Sequence, residues 1–587
     1  MSYGPAYLGV EQSIGGKRWE VVDSDERSGL VLAQRYGLPE IVGRLLAARG
    51  VGADQVDDFL DPQIRRLLPN PSSLMDMDLA ANCLADAIQK GQKVAVFGDY
   101  DVDGATSSAL LKRFWRAVGR DLDIYIPDRL TEGYGPNLPA MQRMKEQGIE
   151  LVITVDCGIV AFETLAGARK AGIDVVVVDH HQAEPRLPDA VAVVNPNRLD
   201  DTSSEGHLAA VGVTFLLVVA LNRVLRQRGW YNDRAEPDLL QWLDLVALGT
   251  VCDVVSLTGV NRALVKQGLK VMGARRNAGL RALADTVHLT EQPAAHHAGF
   301  ILGPRVNAGG RVGESWLGAA LLSTEDEGKA VEIAQRLDVY NQERRSIEAA
   351  CLQSAIDIVV SNANKNFAYA GSTEWHPGVI GIVAGRLRER FNRPSCVVAY
   401  DGDHGKGSGR SVKGFDLGAA IVAARQAGLL SSGGGHAMAA GFVIQRNNEQ
   451  SFCSFMTERI GDLQRELTPV YRIDGAIQPI GANNEFLTAI ERLAPFGSGN
   501  PQPRFVLPRV RIVKAQQVGS DHVSCIVAGE NGGRLKAISF RSLGQPLGQA
   551  LIQSSGSPLH LCGTLKLDHW QGRETPQLTI DDAAAVF

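Results

Sequence analysis

The sequence lacks the marks of a redox, zinc-ribbon or membrane protein. Its eight cysteines lie far apart and form no CxxC pair, which excludes a zinc ribbon and a redox dithiol. Scattered cysteines in a long chain are typical of reduced, mostly buried thiols. The strongest apolar stretch, residues 208–221, is too short to span a bilayer, and the N-terminal residues lack the apolar core of a signal peptide. We therefore expect a cytoplasmic protein that does not contact a membrane.

An excess of positive charge is also absent. The 587 residues include 60 Lys and Arg against 65 Asp and Glu, so the net charge is −5. Total charge therefore gives no support for nucleic-acid binding, and any basic surface must be local. Apolar residues make up 45% and charged residues 21%, values near those of soluble globular proteins. Global disorder is excluded, and about three to five domains are expected.

Short β-branched runs alternate with helical patterns in the first half of the chain. This order predicts a parallel sheet that is covered by helices on both faces. The runs lie at 93–97, 123–127, 151–155, 175–178 and 191–194. A mostly helical stretch follows to about residue 360 and ends in one long charged helix over 327–359.

Two further regions complete the predicted α/β architecture. Residues 365–460 predict a second α/β unit with two glycine-rich loops, so the long helix would connect two lobes. Beyond residue 470, five short strands favour a small barrel of the oligonucleotide-binding type. Phe496, Phe505 and Phe540 in this region could stack on bases but are better explained as core residues. For Trp570, near a hairpin tip, the two interpretations are equally favoured.

Carboxylates and histidines follow the predicted strands. Because groups beyond the carboxyl ends of parallel strands share one crevice, we expect them to converge. Clustered carboxylates repel each other, and divalent cations remove that conflict. Oxygen ligands suit Mg²⁺ or Mn²⁺, imidazole favours Mn²⁺, and the number of ligands favours two ions. The converging residues are Asp99, Asp101, Asp103, Asp156, Asp179, His180, His181 and Asp253.

Each member of this set also has a structural alternative. A lone Asp after a strand is usually a helix cap. Asp179 could orient the two histidines instead of binding an ion. Cys157 and Cys252 adjoin the set, and we interpret them as packing residues, because a thiolate competes poorly for a hard cation. The combination of all these motifs in order at strand ends nevertheless favours the metal site.

The second predicted lobe has features suited to phosphate. GKGSGRS contributes Ser408 and Arg410, and SGGGHAMAAG places three glycines before His436. Glycine lets backbone N–H groups approach an anion, and arginine adds a bidentate contact. A flexible turn is the alternative. Residues 381–415 hold seven basic and three acidic residues, a local charge of +4.

Other polar residues lie in loops near the lobes. Arg305, Asn307 and Arg311 occur in a glycine-rich segment, where they could follow a strand backbone or cap helices. His376, in WHPG, could contact a sugar or a base.

Several motifs resemble one known group of enzymes. GDYDVDGATS, TVDCGI, VVDHH and GTVCDVV resemble the DHH phosphoesterase superfamily. Within it, DRLTEGYG, GPRVNAGGRVG, EWHPGVIGIVAGRL, GKGSGRS, SGGGHAMAAG and PFGSGNPQPRF resemble the RecJ family. The resemblance covers nearly the whole chain, and we see no departure at the metal positions.

The resemblance implies specific roles for residues. It implies that Asp156 bridges two ions and that His181 contacts the scissile phosphate. Arg129 and Tyr134, in DRLTEGYG, would join the substrate-binding residues, with Arg305, Asn307, Arg311, His376, Ser408, Arg410 and His436. The implied metal ligands are Asp99, Asp101, Asp103, Asp156, His180 and Asp253.

The resemblance also implies a domain layout of DHH and DHHA1 type with a terminal OB-like barrel. The expected domains are an N-terminal extension (1–90), a DHH catalytic domain (91–255), a helical region with the connector helix (256–364), a DHHA1-like substrate-binding domain (365–465) and an OB-like single-strand-binding domain (466–587).

The implied activity is metal-dependent hydrolysis of single-stranded DNA in the 5′→3′ direction to 5′-mononucleotides, in recombination and repair. Single-strand-binding protein and a helicase are the implied partners, and a monomer is expected. Two alternatives stay open. One is a small-nucleotide phosphodiesterase or pyrophosphatase, which would not need the terminal barrel. The other is a non-catalytic DNA-binding relative, against which the intact ligand motifs argue.

Overall fold

The structure, a computed structural model, describes residues 5–129, 131–362, 366–461, 469–554, 556–570 and 573–586; the side chains of residues 569, 570 and 573 lie outside this description, and with them the stacking candidate Trp570. The chain divides into two compact units, residues 64–467 and the combination of residues 1–63 with 468–587. The strands are β1 (Arg18–Val21), β2 (Val94–Gly98), β3 (Asp123–Tyr125), β4 (Leu151–Val155), β5 (Asp174–Val178), β6 (Ala192–Val194), β7 (Ala368–Ser372), β8 (Ser395–Asp401), β9 (His404–Arg410), β10 (Ser432–His436), β11 (Ala439–Gln445), β12 (Val470–Ile473), β13 (Gly475–Ala476), β14 (Arg504–Val518), β15 (His522–Ala528), β16 (Arg534–Ser539), β17 (Leu559–Trp570) and β18 (Arg573–Ala585).

The helices are α1 (Glu26–Tyr36), α2 (Glu40–Ala48), α3 (Val56–Leu60), α4 (Ile64–Leu67), α5 (Met77–Lys90), α6 (Val102–Ala117), α7 (Leu138–Glu146), α8 (Phe162–Lys170), α9 (Ala210–Gln227), α10 (Leu243–Cys252), α11 (Gly259–Gly273), α12 (Ala278–Thr286), α13 (Ala295–His297), α14 (Gly303–Val306), α15 (Gly309–Val312), α16 (Leu317–Ser323), α17 (Glu327–Ser361), α18 (Ile380–Phe391), α19 (Leu417–Gln426), α20 (Glu449–Ile460), α21 (Asn484–Glu491) and α22 (Pro546–Gln553).

The first sheet of the larger unit is parallel, as predicted. Its strand order is β3-β2-β4-β5-β6. Every residue of β2 and β4 is buried, and successive side chains enter different cores. Val96 and Ile153 pack with α5, α6 and α9, whereas Phe97 and Val152 pack with α7 and α8. Burial on both faces explains why these strands are continuous apolar runs.

The helical region contains one helix that is long and apolar enough to cross a membrane. This helix, α9, is 78% buried inside the protein and therefore serves as a core helix. The long helix predicted over 327–359 is observed as α17, which has 35 residues. Its N-terminus is capped by Asp326, whose side chain accepts a hydrogen bond from the Lys329 N–H. α17 packs against α12 and α18 and so connects the helical region to the second lobe.

The second lobe contains a five-stranded mixed sheet in the order β10-β11-β9-β8-β7, in which only β7 and β8 are parallel. The two glycine-rich segments expected as loops are the strands β9 and β10, so that prediction was wrong. The glycines of β9 make room for rings. A Cβ at Gly407 would lie 2.2 Å from the Phe442 ring, and one at Gly405 would lie 2.7 Å from the Tyr400 ring.

The smaller unit is built around a five-stranded barrel. β14, β15, β16, β18 and β17 pair in that order, and pairing of β14 with β17 closes the barrel, consistent with an OB fold. Phe505 is buried in its core, as expected. Phe496 is partly buried against the same core. Phe540 is 47% exposed, so its assignment to the core was wrong; its ring lies at the end of β16 on the barrel surface.

Residues before position 64 fold with the barrel, a relationship that the sequence did not indicate. β1 pairs in parallel with β12, and Val42 and Leu46 of α2 share a hydrophobic core with Phe505 and Leu561 of the barrel. Buried Asp582 in β18 accepts hydrogen bonds from the Ser13 hydroxyl, the Gly15 N–H and the Trp19 indole. The N-terminal segment is thus integral to this unit.

Candidate metal centre

The carboxyl ends of three neighbouring strands bring the predicted ligands together. The residue after each strand still bonds to the adjacent strand: the Asp99 N–H donates to Val155 O at 3.2 Å, and the Asp156 N–H donates to Val178 O at 3.0 Å. Asp179 continues the series by donating to Val194 O at 3.0 Å. The parallel register therefore places all these residues at one edge of the sheet.

Three groups of side chains at this edge have ligand atoms within 4.8 Å of one another. Asp156 occurs in two of the groups, and His180 also occurs in two. A carboxylate can bind two neighbouring ions through its two oxygens, so Asp156 suits the shared position, whereas the one free nitrogen of His180 can bind a single ion. The groups are Asp99, Asp101 and Asp156; Asp156, His180 and His181; and Asp103, His180 and Asp253.

Two helix N-termini hold the carboxylates of the first motif. Asp101 caps α6, where its Oδ1 accepts hydrogen bonds from the Asp103 and Gly104 N–H groups. One oxygen of Asp101 therefore caps the helix, as the structural alternative predicted. Asp101 also belongs to one of the ligand groups. Asp103 accepts hydrogen bonds from the Ala210 N–H at 2.6 Å and the Val211 N–H at 2.8 Å, at the start of α9. Both carboxylates are fixed before any ion binds.

His180 is oriented toward the carboxylates by a backbone contact. Its Nδ1 lies 3.1 Å from Leu208 O, so the Nδ1–H form donates there and the Nε2 lone pair is left for a ligand. Nε2 lies 3.4 Å from Asp156 Oδ1 and 3.6 Å from Asp253 Oδ2.

Three ligand atoms at this edge are buried without a hydrogen-bond partner: His180 Nε2, Asp253 Oδ2 and Asp99 Oδ1. Buried polar atoms are almost always paired in proteins. Unpaired oxygen and imidazole atoms that face each other are what a divalent cation satisfies. The donor set therefore fits Mn²⁺ or Mg²⁺.

The electrostatics of the site also require positive charge. Burial and neighbouring carboxylates raise the pKa of Asp99, Asp103 and Asp156 well above the usual range. Burial and Asp101 raise the pKa of Asp253 to about 7. Without cations these groups take up protons instead of sharing the site as anions. Bound cations would counteract these shifts, because they stabilise the deprotonated carboxylates.

Asp179 positions His181. Asp179 is completely buried, and its Oδ1 lies 2.7 Å from His181 Nδ1. Burial alone would raise the pKa of Asp179, but the hydrogen bonds and charge of His181 hold it below its usual value. Tyr134 also contacts the imidazole, with its hydroxyl 3.4 Å from the same Nδ1 and 3.1 Å from Asp156 O, to which it donates. These contacts agree with the orienting role considered for Asp179.

The backbone is strained at the shared ligand. Asp156 has φ +60°, in the left-handed region that a residue with a Cβ rarely adopts. The turn aims its carboxylate back into the site. Cys157 next to it is buried, and burial and Asp179 raise the pKa of its thiol. Burial likewise raises the pKa of Cys252. Both cysteines stay protonated and pack, as predicted.

An arginine cluster, defined as Arg129, Arg311, Arg344 and Arg410, lies beside the metal centre. The Arg129 guanidinium lies 5.1 Å from the centre of the Tyr100 ring, between Asp99 and Asp101 in sequence. Burial and the charges of Arg129 and Arg344 lower the pKa of Arg311 to about 10. Burial and Arg129 also lower the pKa of Arg410. Such mutual repulsion favours binding of an anion such as phosphate.

Both lobes contribute to this cluster. Arg311 Nη1 donates to Gly378 O of the second lobe at 3.2 Å, and Arg410 Nη1 donates to Ser408 Oγ in β9 at 3.2 Å. Arg344 pairs with Glu348 within α17. The sequence pattern of this helix indicated a connector between lobes and singled out none of its charged residues, so Arg344 was missed.

The remaining predicted substrate residues lie in different environments. Arg305 pairs with Asp338 at 2.8 Å and donates to Ile301 O, so its guanidinium is held by helices, and half-buried Asn307 ends α14. These positions agree with the capping alternative. His376 Nδ1 accepts a hydrogen bond from the Gly378 N–H, beside Arg311. This bond leaves Nε2 of His376 as the nitrogen that could contact another group. His436 is exposed at the end of β10, and it makes no hydrogen bond with the metal-centre residues in the described part of the chain.

Known families match three parts of the chain. Residues 93–250 match the DHH family, N-terminal domain, and residues 364–462 match the DHHA1 domain. Residues 473–582 match the RecJ OB domain. The first match contains the candidate ligands up to His181, and Asp253 lies just beyond it.

Characterised relatives match almost end to end. The single-stranded-DNA-specific exonucleases RecJ of Salmonella typhimurium and Escherichia coli are each 35% identical over 566 residues, which cover 93% of this chain and 96% of each relative. The crystal structure of RecJ in complex with Mn²⁺ from Thermus thermophilus superposes with a TM-score of 0.79 at 28% identity. That match covers 96% of this chain and 79% of the other.

Proposed function

The chain belongs to the RecJ family of single-stranded-DNA-specific exonucleases, and we propose that it removes 5′-mononucleotides from single-stranded DNA in the 5′→3′ direction. It is a metal-dependent exonuclease of the DHH phosphoesterase family. The observation that carries the proposal is the convergence of shared, buried, unpartnered ligand atoms beside an arginine cluster.

The metal centre supports phosphodiester hydrolysis with two ions. Asp156 belongs to two ligand groups and has two carboxylate oxygens, so it is proposed as the bridge between the ions, while His180 would hold one ion through Nε2. Asp99 and Asp101 complete one group, and Asp103 and Asp253 complete another. When bound, Mn²⁺ or Mg²⁺ supplies an activated water and positive charge at the scissile phosphate.

His181 is proposed to contact the scissile phosphate. Its Nδ1 donates to Asp179, which leaves Nε2 to face the substrate. Although burial opposes it, the hydrogen bond to Asp179 raises the pKa of His181, so the imidazolium is favoured. A protonated Nε2 would donate to a phosphate oxygen and stabilise developing negative charge. Asp179 is therefore a positioning residue.

The arginine cluster is proposed to set the direction of hydrolysis. A terminal 5′-phosphate carries more charge than an internal diester and gains more from a guanidinium. Arg410, Ser408 and Arg129 supply that recognition, with Arg311, Tyr134 and His376 holding the adjoining nucleotide. Exposed His436 is proposed to contact the strand, whereas Arg305 and Asn307 are proposed to hold the helices beside it.

The barrel is proposed as a platform for the single strand. Exposed Phe540 meets His522 edge to face with ring centres 5.2 Å apart, and the Lys566 ammonium lies 5.6 Å from the centre of the Phe540 ring. An exposed ring beside a lysine ammonium suits a base and its phosphate. We assign this role to residues 466–587, catalysis to 91–255, connection to 256–364 and substrate holding to 365–465. The N-terminal extension, 1–90, is divided: residues 1–63 belong to the unit of the barrel and 64–90 to the larger unit.

The cellular setting follows from the family. We propose a cytoplasmic monomer that acts in DNA recombination and repair with single-strand-binding protein and a helicase.

The direction of hydrolysis is tested with single strands that carry a label at one end. With Mn²⁺, a 5′-labelled strand should release labelled mononucleotide from the first time point, while a 3′-labelled strand shortens progressively. A ladder of shortening products that retain the 5′ label would contradict the proposed direction.

A further inference from the structure

Phe300 is the most exposed large apolar side chain in the described part of the chain, with 82% of its surface accessible. It lies in a π-helical turn, Ala298–Leu302, between α13 and α14. The two ends of the turn, Ala298 and Leu302, are buried. π-turns are rare and occur often at functional sites. The turn therefore anchors its ends and presents one ring to solvent.

This turn is fixed to the metal centre. The Cys252 thiol lies 3.5 Å from Ala298 O, to which it donates. A Cβ at Gly303 would lie 2.3 Å from Cys252 Sγ, so only glycine permits this approach. Asp253, a member of a ligand group, directly follows Cys252. The position of Phe300 relative to that ligand is thus set by close packing on both sides of the turn.

The chain that follows Phe300 leads to the arginine cluster. A Cβ at Gly310 would lie 2.8 Å from the backbone oxygen of Tyr100, next to the first ligand motif. Arg311 then reaches Gly378 of the second lobe. The segment that carries Phe300 is therefore packed at one end against Cys252, next to the ligand Asp253, and at the other against Tyr100, between Asp99 and Asp101 in sequence.

We propose that Phe300 stacks on a nucleobase of the single strand next to the scissile phosphate. This inference rests on the proposed function. Every base offers an apolar face to an aromatic ring, so stacking binds single strands without sequence preference. The position of the turn argues for this occupant, because Cys252, which packs against it, directly precedes the ligand Asp253, so a strand held at the metal centre passes close to the turn.

Substitution of Phe300 tests the proposal directly. Phe300→Ala should lower kcat/KM on a 5′-phosphorylated single strand roughly 5- to 150-fold, the range for loss of one base–aromatic stack. Phe300→Trp should retain most activity, because it keeps an aromatic face. Val360→Ala serves as the control, since Val360 is 67% exposed at the end of α17. This control should behave like wild type.

Abasic substrates identify the stacked base. A set of single strands, each with one abasic site among the first few nucleotides, is assayed with wild type and Phe300→Ala. In wild type, an abasic site at one position should lower kcat/KM by about the same factor as the Phe300→Ala substitution does. In Phe300→Ala, an abasic site at the same position should not lower kcat/KM further, because the stack between ring and base is already lost.

Several outcomes would overturn the stacking role. Unchanged kinetics in Phe300→Ala would do so, as would abasic penalties that are the same in both proteins. A Phe300→Ala variant with normal kinetics but a smaller particle in size-exclusion chromatography would instead assign the ring to an interface between copies of the chain. Failure of wild type to degrade any single strand would refute the proposed function itself, which separates the two failures.

Discussion

The Nδ1 atom of His181 lies 2.7 Å from Oδ1 of Asp179, a carboxylate with no accessible surface. The same oxygen accepts hydrogen bonds from the His180 and His181 N–H groups, and Oδ2 accepts one from the Ile159 N–H. One buried carboxylate therefore fixes both the backbone of the two histidines and the His181 ring. Activity should depend on this residue although it belongs to none of the ligand groups.

Asp179→Asn should lower kcat about 10- to 100-fold with little change in KM. The substitution removes the negative charge that orients the His181 ring and raises its pKa. Steady-state kinetics with Mn²⁺ would measure this. Asp189→Asn is a matched control, since Asp189 is half exposed and pairs with Arg169 on the surface. An Asp179→Asn enzyme with wild-type kcat would contradict the positioning role.

Stability of the protein without metal should fall as pH rises. Burial raises the pKa of Asp99, Asp103 and Asp156, and that of Asp253 to about 7, so the folded state binds protons more tightly than the unfolded state. Their contribution is complete below the unfolded pKa of about 4 and is lost as pH rises through the folded values. In EDTA, the melting temperature should decrease between about pH 5 and about pH 8.

Mn²⁺ should reverse this trend, because it binds the deprotonated carboxylates. The increase in melting temperature on adding Mn²⁺ should therefore be larger at the higher pH. Thermal unfolding with and without EDTA across this range would measure both effects. A Mn²⁺ effect that is independent of pH would argue against ion binding at these residues.

Arg410→Ala should reduce kcat/KM strongly on 5′-phosphorylated single strands and less on 5′-hydroxyl strands. The loss of one charged hydrogen-bond pair corresponds to about 1.5–3 kcal/mol, roughly ten- to a hundredfold. Arg459→Ala, at an exposed position of the same lobe, is the control. Equal losses on both substrates would mean that Arg410 binds the DNA backbone or the scissile phosphate instead of recognising the terminal 5′-phosphate.

The sequence was sufficient for the centre of the site but not for its surroundings. Asp99, Asp156 and Asp179 were predictable because each follows an apolar strand, and parallel register brings such positions to one edge. The place of Arg344 in the arginine cluster was not predictable, because a helical charge pattern does not reveal which charged side chain is buried, as those of Arg344 and its partner Glu348 are.

Two other differences between prediction and structure concern the glycines of β9 and the packing of the N-terminal segment on the barrel. The glycines of β9 were interpreted as phosphate-binding loops, but they accommodate rings such as Phe442 from the neighbouring strand. Trp19 and Asp582 are 563 residues apart and share a hydrogen bond. No local pattern indicates such a contact, so the joining of the N-terminal segment to the barrel required the structure.

Because the N-terminal segment packs on the barrel, the two must be removed together to test the role of the barrel. Deleting residues 468–587 alone would expose the apolar face of α2, including Val42 and Leu46, and we expect aggregation. Residues 64–467 form a compact unit and should fold without both flanking parts. This fragment should bind long single strands much more weakly than the full chain yet still cleave very short oligonucleotides.

Affinity for long strands would be measured by fluorescence anisotropy at several salt concentrations, after circular dichroism has confirmed folding. The affinity of the full chain should decrease with salt, because phosphate contacts release counterions. If the folded fragment binds a long strand as tightly as the full chain, the barrel is not the single-strand platform.

The central claim is that Asp156 organises a metal centre for hydrolysis of single-stranded DNA. Asp156→Asn is the most informative variant, because asparagine tolerates the left-handed backbone at this position but loses the negative charge. Wild type and variant would be assayed with Mn²⁺ or EDTA on a single strand, the matching duplex and a dinucleotide. We predict that wild type with Mn²⁺ degrades the single strand in preference to both other substrates, and that EDTA or Asp156→Asn abolishes hydrolysis. Substantial activity in the variant, or preference for the dinucleotide, would contradict the account.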